Sequence, residues 1–240
     1  MPPRHLTMKA ILLDIEGTTT PIDFVHQTLF PYAKAKIGEY IEVNFENLKR
    51  EISEIKVEYK KDFTNQIYGR KFDEKSAESI AEYLKFLIEV DRKSTILKSL
   101  QGKIWQDGYE SGELKSVMFE DVPRAFERWY GQGKTIAIYS SGSVLAQKMI
   151  FKYSNFGDLT PYISAYFDTS VGHKREKQSY ENIAQELKNR KREILFISDV
   201  LEELEAAHHA GIDAILSDRE GNALITGKHS FEVVQNFDSI

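Results

Sequence analysis

The stretch that most clearly carries chemistry is LLDIEGTTTP, Leu12–Pro21, in which an apolar run ends on two acids, Asp14 and Glu16. No lysine or arginine lies among these ten residues. Carboxylates that share a site repel one another unless one takes up a proton or a cation binds. Oxygen ligands without His or Cys suit Mg²⁺, which binds together with phosphate groups. We therefore expect phosphoryl chemistry, with Asp14 as a nucleophile and Glu16 as alternating proton donor and acceptor.

Further polar residues follow other apolar runs of the sequence. Ser140 and Ser141 follow one run, and Asp199 follows another, with Glu203 four residues later. Lys174 lies between them, in a short glycine-containing loop. Ligands of open α/β sheets bind at the carboxyl ends of the strands, so these side chains are expected to converge on the two acids. Lys174 and the Ser140 hydroxyl would then bind the phosphoryl oxygens that a metal leaves free.

The elements that position these residues are predicted from hydrophobic patterning. Apolar runs without strict alternation indicate strands buried on both faces of a parallel sheet; they are Ala10–Leu13, Thr135–Ser140, Ile194–Ser198 and Ala214–Leu216, with Ser164–Phe167 as a weaker fifth. Apolar residues at three- and four-residue spacing predict helices over Val144–Tyr153, Ser179–Lys191 and Leu201–Ala210. This alternation predicts an α/β fold with a doubly wound parallel-sheet core.

The first strand is followed by a long segment of a different kind. Residues 21–117 are rich in Glu, Lys, Ile, Leu and Tyr, with helical periodicity and no convincing strand. A simple βαβ connection needs only about 30 residues, so this segment is too long to be one crossover. We predict a catalytic core formed by residues 1–20 and 118–240, and a helical cap domain, residues 21–117, that covers the strand ends and closes over the substrate.

Composition limits the class of partner. The 240 residues carry a net charge of −5, which disfavours nucleic acid and anionic membranes as partners. There are no cysteines, so thiolate metal sites and Cys nucleophiles are excluded. The apolar run near the N-terminus is shorter than a signal peptide requires, and no run reaches the roughly 18 residues of a membrane span. We expect a cytoplasmic monomer acting on a small anionic molecule, with the nucleus as an alternative location in a eukaryotic cell.

Four motifs in order resemble those of the haloacid dehalogenase superfamily. DIEGT, Asp14–Thr18, resembles its first motif, Asp-x-Asp-Gly-Thr. Ser140 at a strand end, the loop residue Lys174, and the pair Asp199 and Glu203 resemble the second, third and fourth motifs. The similarity implies the Rossmann-like fold of that superfamily, with an inserted cap.

Longer stretches resemble one family within it, the enolase-phosphatases of methionine salvage. They are LLDIEGTTTPIDFVHQTLFPYA, DRKSTILKSLQGKIWQDGY, IYSSGSVLAQKMIF, FDTSVGHKREKQSY and FISDV, and they span nearly the whole chain. Glu16 departs from the Asp of the superfamily motif but is what this family shows. The stretch DREGN, Asp218–Asn222, is similar to the closing loop of the family, with Glu220 where proline is common.

This resemblance implies a substrate and a reaction. The substrate would be 2,3-diketo-5-methylthiopentyl 1-phosphate, enolised and then dephosphorylated to the acireductone 1,2-dihydroxy-3-keto-5-methylthiopentene, with one Mg²⁺ per subunit. Asp14 would form an aspartyl phosphate and also bind the metal. Glu16 would bind the metal through its side chain or its backbone and shuttle protons, with Gly17 and Thr18 in supporting positions.

The resemblance also implies roles for the residues after the later strands. Ser140, Ser141 and Lys174 would bind the substrate phosphate. Asp199 would complete the metal site, and Glu203 would orient Lys174 or a metal-bound water.

Two questions stay open at the level of the sequence. The enolising base is Glu16, another acid or a residue of the cap. The principal alternative function is a phosphatase of the same superfamily that acts on another small ester, such as a sugar phosphate or phosphoglycolate. A non-catalytic metabolite-sensing module is a further alternative, disfavoured by the complete set of acid, serine and lysine residues.

Overall fold

The computed structural model of the chain describes residues 8–240, so residues 1–7 of the predicted core segment 1–20 lie outside the described residues. Contacts divide the chain into two compact units, one made of Met1–Val25 and Gly112–Ile240 and the other of His26–Ser111. The insertion predicted from the sequence spans residues 21–117, whereas the second compact unit is His26–Ser111, so the two borders differ by a few residues. No helix among residues 8–240 is both long enough and apolar enough to cross a membrane.

The first unit contains a six-stranded sheet in which every neighbouring pair is parallel. Its strands are β1 Ala10–Leu13, β2 Thr135–Tyr139, β3 Ile163–Phe167, β4 Ile194–Ser198, β5 Asp213–Ser217 and β6 Glu232–Val234. Their spatial order is β3-β2-β1-β4-β5-β6, which confirms the predicted doubly wound core. The sequence did not predict β6, because this edge strand has only three residues, two of them exposed.

The helices follow the strands of this unit and fill the insertion. They are α1 Ile22–Phe24, α2 Phe30–Asn44, α3 Lys49–Thr64, α4 Ala77–Glu89, α5 Thr95–Glu110, α6 Asp121–Gly131, α7 Val144–Lys152, α8 Lys177–Glu186 and α9 Leu201–His209. A π-helical turn, Val25–Leu29, joins α1 to α2. The prediction of a helix over Ser179–Lys191 was wrong at its end: Lys188 has a φ of 55°, a left-handed conformation that stops α8.

Apolar side chains cover the sheet on both faces. Leu12 belongs to a buried cluster with Tyr180 of α8 and Leu204 of α9. Since side chains alternate along a strand, Ile11 and Leu13 point to the opposite face, and both are fully buried there. Burying one such side chain contributes about 1.5–3 kcal/mol. This two-sided burial explains why the strands read as continuous apolar runs.

The second unit is helical and has an apolar core of its own. The buried side chains come from all four long helices, including Ile37 of α2, Ile55 of α3, Leu84 of α4 and Leu100 of α5. The only buried acid described in this unit, Asp62, accepts hydrogen bonds from Tyr83 and Arg92. The insertion is therefore helical, as the periodicity predicts; its function as a cap stays a prediction.

Candidate active site

Strand register places Asp14 at the centre of the sheet edge. Leu13 is the last residue of β1, and the Asp14 backbone N–H donates to the Ile197 carbonyl of β4 at 3.0 Å. The strand order reverses between β1 and β4, which is where open α/β sheets bind ligands. Ser140 follows β2 and Asp199 follows β4 at the same edge. Asp14 is only 5% exposed, so its carboxylate is buried at this edge of the sheet.

The loop after β1, Asp14–Thr20, turns back tightly on itself; we call it the nucleophile loop after the predicted role of Asp14. The Gly17 N–H donates to the Thr20 carbonyl at 2.8 Å, and the Thr19 hydroxyl donates to the Ile15 carbonyl at 3.2 Å. Gly17 has a φ of +67°, and a Cβ atom there would collide with Oδ2 of Asp199. Only glycine fits both conditions, which gives the glycine of the DIEGT motif a physical reason in this chain.

Four side chains form a buried polar network at this edge. Lys174 Nζ lies 2.7 Å from Asp14 Oδ1 and 2.7 Å from Glu203 Oε2. The Ser198 Oγ lies 3.2 Å from Asp14 Oδ2 and 3.0 Å from Glu203 Oε2. A hydroxyl has one hydrogen, so Ser198 donates to one carboxylate at a time. The structure thus brings together the predicted nucleophile, the predicted phosphate-binding lysine and Glu203. It adds Ser198, for which no role was predicted.

Aromatic hydroxyls hold the backbone that carries Lys174. The Tyr139 hydroxyl donates to the Gly172 carbonyl at 2.9 Å, and the Tyr180 hydroxyl donates to the Lys174 carbonyl at 2.7 Å. Gly172 has a φ of +135°, and a Cβ atom there would collide with the Ser179 hydroxyl of α8. These contacts fix the loop from β2 on one side and from α8 on the other. Tyr139 and Tyr180 were not predicted as parts of the site.

The serine loop after β2 is held by a buried glutamine. The Ser140 Oγ accepts a hydrogen bond from the Gly142 N–H at 3.2 Å. Gln147 donates both amide hydrogens, to the carbonyls of Gly142 and Phe167, each at 2.8 Å. Ser140 is buried and Ser141 is exposed. Gln147 lies within the quoted stretch IYSSGSVLAQKMIF, but nothing in its residue type identified this contact.

The site holds more negative than positive charge. Burial, followed by repulsion from Asp14, raises the pKa of Asp199 to about 7, and Glu16 adds to this shift. Burial and then Asp14 also raise the pKa of Glu203 to about 7, against the opposing effect of Lys174. Burial alone would lower the pKa of Lys174, but its two carboxylate neighbours outweigh burial and raise it. Four acids therefore lie in or beside the site, and one lysine contacts two of them, Asp14 and Glu203.

The donor set fits a hard divalent cation. The candidate ligands, Asp14, Glu16 and Asp199, offer oxygen atoms only, as Mg²⁺ prefers. Within residues 8–240 no group of three or more His, Cys, Asp or Glu side chains already forms a metal-binding cluster. The observation that favours a cation is the crowding of acids that raises the pKa of Asp199, since a bound cation would relieve it. The metal roles of the three residues stay predictions.

Ser217, the last residue of β5, and the loop after it hold the nucleophile loop in place; we call residues Ser217–Asn222 together the closing loop. The Gly17 carbonyl accepts hydrogen bonds from Ser217 Oγ at 3.1 Å and Asn222 Nδ2 at 2.9 Å. The Thr18 carbonyl accepts one from Arg219 Nε at 3.1 Å. Gly17 and Thr18 were predicted as supporting residues, and the structure identifies what they contact. The DREGN stretch was the sequence signal for this loop.

Comparison with known proteins agrees with this arrangement. The family model described as haloacid dehalogenase-like hydrolase matches residues 8–211. Enolase-phosphatase E1 of Drosophila melanogaster is 47% identical over 95% of this chain and 91% of its own length. The protein of the same name from Drosophila willistoni is 49% identical over 91% of this chain and 90% of its own.

Solved structures show the same fold. The UTR4 protein of Saccharomyces cerevisiae superposes with a TM-score of 0.80 at 36% identity, covering 97% of this chain and all (100%) of that one. CbbY of Rhodobacter sphaeroides, solved in complex with phosphate, has a TM-score of 0.62 at 13% identity, covering 97% and 96% of the two chains, and so shares the fold alone. The chain therefore belongs to the haloacid dehalogenase-like hydrolases and, within them, to the family of the enolase-phosphatase E1 proteins.

Proposed function

We propose that the protein is a Mg²⁺-dependent enolase-phosphatase of methionine salvage. It converts 2,3-diketo-5-methylthiopentyl 1-phosphate to 1,2-dihydroxy-3-keto-5-methylthiopentene and phosphate. The observation that carries the proposal is the buried Asp14 carboxylate at the centre of the sheet edge, 2.7 Å from Lys174, in a chain 47% identical to a protein named enolase-phosphatase E1.

Asp14 and Asp199 would hold the metal ion together with Glu16, which would contribute its backbone carbonyl because the steps below need its carboxyl group to carry a proton. When bound, Mg²⁺ supplies the positive charge that stabilises the enolate and the transferred phosphoryl group. The excess of acids over lysine in the site supports this assignment, because the cation offsets the charge that the protein leaves uncompensated.

In the phosphoryl transfer, a carboxylate oxygen of Asp14 attacks the phosphorus atom. The bond between phosphorus and the substrate oxygen breaks, and that oxygen takes a proton from the Glu16 carboxyl group. Lys174, Ser140 and Ser141 bind the phosphoryl oxygens and stabilise their charge. Glu203 holds the Lys174 ammonium group in place through the 2.7 Å contact.

A water molecule then hydrolyses the aspartyl phosphate. The Glu16 carboxylate takes a proton from the water as its oxygen attacks phosphorus, and the Asp14 carboxylate is released with inorganic phosphate. Glu16 is thereby protonated again for the next turnover. Enolisation of the diketone precedes these steps: a base removes a proton from the carbon that bears the phosphate ester, a carbon–carbon double bond forms, and the neighbouring carbonyl oxygen takes up a proton.

The test mixes the purified protein with Mg²⁺ and the diketo phosphate. We expect the ultraviolet absorbance of the enediol and the release of phosphate to appear together, and both to vanish with EDTA. Inactive Asp14→Asn protein is the matched control for contaminating phosphatases. Release of phosphate from sugar phosphates or phosphoglycolate without any reaction of the diketo phosphate would instead identify the protein as another phosphatase of the superfamily.

We also propose that the protein acts as a cytoplasmic monomer on a small phosphate ester. The absence of cysteine and the acidic net charge support an intracellular protein that does not bind nucleic acid. Light scattering after size exclusion measures the mass in solution, which for a monomer is 27.7 kDa.

A further inference from the structure

The closing loop holds the nucleophile loop through the side chain of Asn222. One amide hydrogen of Asn222 binds the Gly17 carbonyl at 2.9 Å, and the Ser217 carbonyl lies 3.2 Å from the same nitrogen. Both carbonyls are backbone groups of fixed position, and Ser217 is itself fully buried. The two contacts determine which end of the Asn222 amide is nitrogen, so its oxygen Oδ1 must face the other way.

That oxygen borders the metal-binding edge of the site. Asn222 Oδ1 is buried and has no hydrogen-bond partner among residues 8–240. A Cβ atom built on Gly17 would lie 2.8 Å from Asn222 Oδ1 and would collide with Asp199 Oδ2. The two oxygens therefore border the same face of Gly17. A buried acceptor beside a carboxylate oxygen is unfavourable unless a hydrogen-bond donor joins them.

We propose that Asn222 is a positioning residue for the metal-dependent reaction. Its amide hydrogen fixes the Gly17 carbonyl and thereby the nucleophile loop, and its Oδ1 accepts a hydrogen bond from a water bound to the cation that Asp199 holds. This inference rests on the proposed function, because it requires a divalent cation in the site. Residues that orient metal ligands from outside the coordination shell commonly change metal affinity or activity about 10- to 100-fold when substituted.

Two substitutions separate the two contacts of Asn222. Asn222→Ala removes both, so we expect the Kd for Mg²⁺ to rise about 10-fold or more and kcat to fall by a similar factor. Asn222→Asp keeps an acceptor oxygen beside Asp199 but loses the hydrogens that bind the Gly17 carbonyl. It is expected to keep most of the Mg²⁺ affinity and still to lose kcat. Glu220→Ala is the matched control, since Glu220 lies on the same loop and is exposed.

The measurement is a calorimetric titration of each metal-free variant with magnesium chloride alone, together with its melting temperature and its kcat and KM. Asn222→Ala protein that melts lower but binds Mg²⁺ with the wild-type Kd would show a structural role only and overturn the proposal. Wild-type protein that binds no Mg²⁺ would also overturn it. The titration contains no substrate, so it tests Asn222 separately from turnover. If Mg²⁺ binding depends on Asn222 but the diketo phosphate is not turned over, the inference is supported and only the proposed function is contradicted.

Discussion

Asp14 of the sheet unit and Asp62 of the helical unit are both buried acids, and each contacts one positively charged side chain. Asp62, 2% exposed, accepts hydrogen bonds from Arg92 on both oxygens, at 3.1 and 3.2 Å, and from the Tyr83 hydroxyl at 2.8 Å. The single negative charge of Asp62 is therefore balanced by the single positive charge of Arg92, and the Tyr83 hydroxyl is a neutral donor. Asp14, 5% exposed, shares Lys174 with a second acid, and two more acids lie nearby.

This difference in charge balance distinguishes Asp62, a structural acid, from Asp14, the proposed catalytic acid. Around Asp62, burial and then the hydrogen bond to Asp62 raise the pKa of Tyr83 far above its ordinary value, so the phenol stays a neutral donor. Around Asp14, burial and like charge raise the pKa values of Asp199 and Glu203 instead. A surplus of buried acids destabilises the protein unless a cation binds, so it indicates a site that has a ligand.

The sharpest test of this comparison replaces the two acids by their neutral isosteres. Asp14→Asn removes the proposed nucleophile, so we expect kcat to fall by about 10⁴-fold or more while the protein still folds. Steady-state kinetics and circular dichroism measure the two effects. Wild-type activity in this variant would refute the assignment of Asp14.

The matching substitution in the helical unit is Asp62→Asn. It leaves Arg92 without its carboxylate and weakens a charged hydrogen bond, which should lower the free energy of unfolding by about 2 kcal/mol. Urea denaturation measures this loss, and kcat should stay at the wild-type value. A large fall in kcat with unchanged stability would mean that Asp62 is not merely structural.

Ser198→Ala tests whether the hydroxyl between the two carboxylates contributes to turnover. Ser198 donates to either Asp14 or Glu203, and losing one such hydrogen bond should cost about 1.4 kcal/mol, or about tenfold in kcat. Ser198→Thr keeps the hydroxyl and is the conservative control. Equal kcat values for the alanine variant and the wild type would show that the contact has no catalytic effect.

A further test is the dependence of stability on pH in the metal-free protein. The pKa of Asp199 is about 7 in the folded state and near 3.8 when unperturbed, so the folded state binds more protons between these values. Stability therefore falls as pH rises from about 4 through 7. Asp199→Asn lacks this group and should melt increasingly above the wild type as pH rises from 5 to 8.

Melting curves with and without Mg²⁺ check this prediction. Added Mg²⁺ should raise the melting temperature of the wild type at pH 8, so that the wild type melts at or above the temperature of the Asp199→Asn variant. A difference in melting temperature between the two proteins that stays constant with pH would contradict the surplus of charge at the site.

Much of the sheet could be predicted from the sequence because burial on both faces leaves an unmistakable pattern. Residues Ala10–Leu13 and Ile194–Ser198 were predicted as strands and are β1 and β4. The edge strand β6 lacks that pattern, because it is short and half exposed. The end of α8 depends on a left-handed residue, Lys188, whose side chain does not signal that conformation.

Only some residues of the candidate site could be predicted from the sequence. Acids and a lysine at strand ends are recognisable from residue type and order, which pointed to Asp14 and Lys174. Ser198 and Asn222 are not, because each acts through a partner about 200 residues away: 184 residues separate Ser198 from Asp14, and 205 separate Asn222 from Gly17. Serine and asparagine are common turn residues, so only the tertiary contact reveals such roles.

The position of β1 has a consequence for biosynthesis. Ala10 is translated before both of its strand neighbours, Thr135 and Ile194. The helical unit His26–Ser111 is a continuous stretch whose core contacts are local, so it can form while most of the chain is still being translated. The four apolar residues of β1 therefore gain their second neighbouring strand only after Ile194–Ser198 has been translated. Until then the nascent chain exposes apolar residues that later lie at the centre of the sheet, and exposed apolar surface of this kind is prone to aggregation.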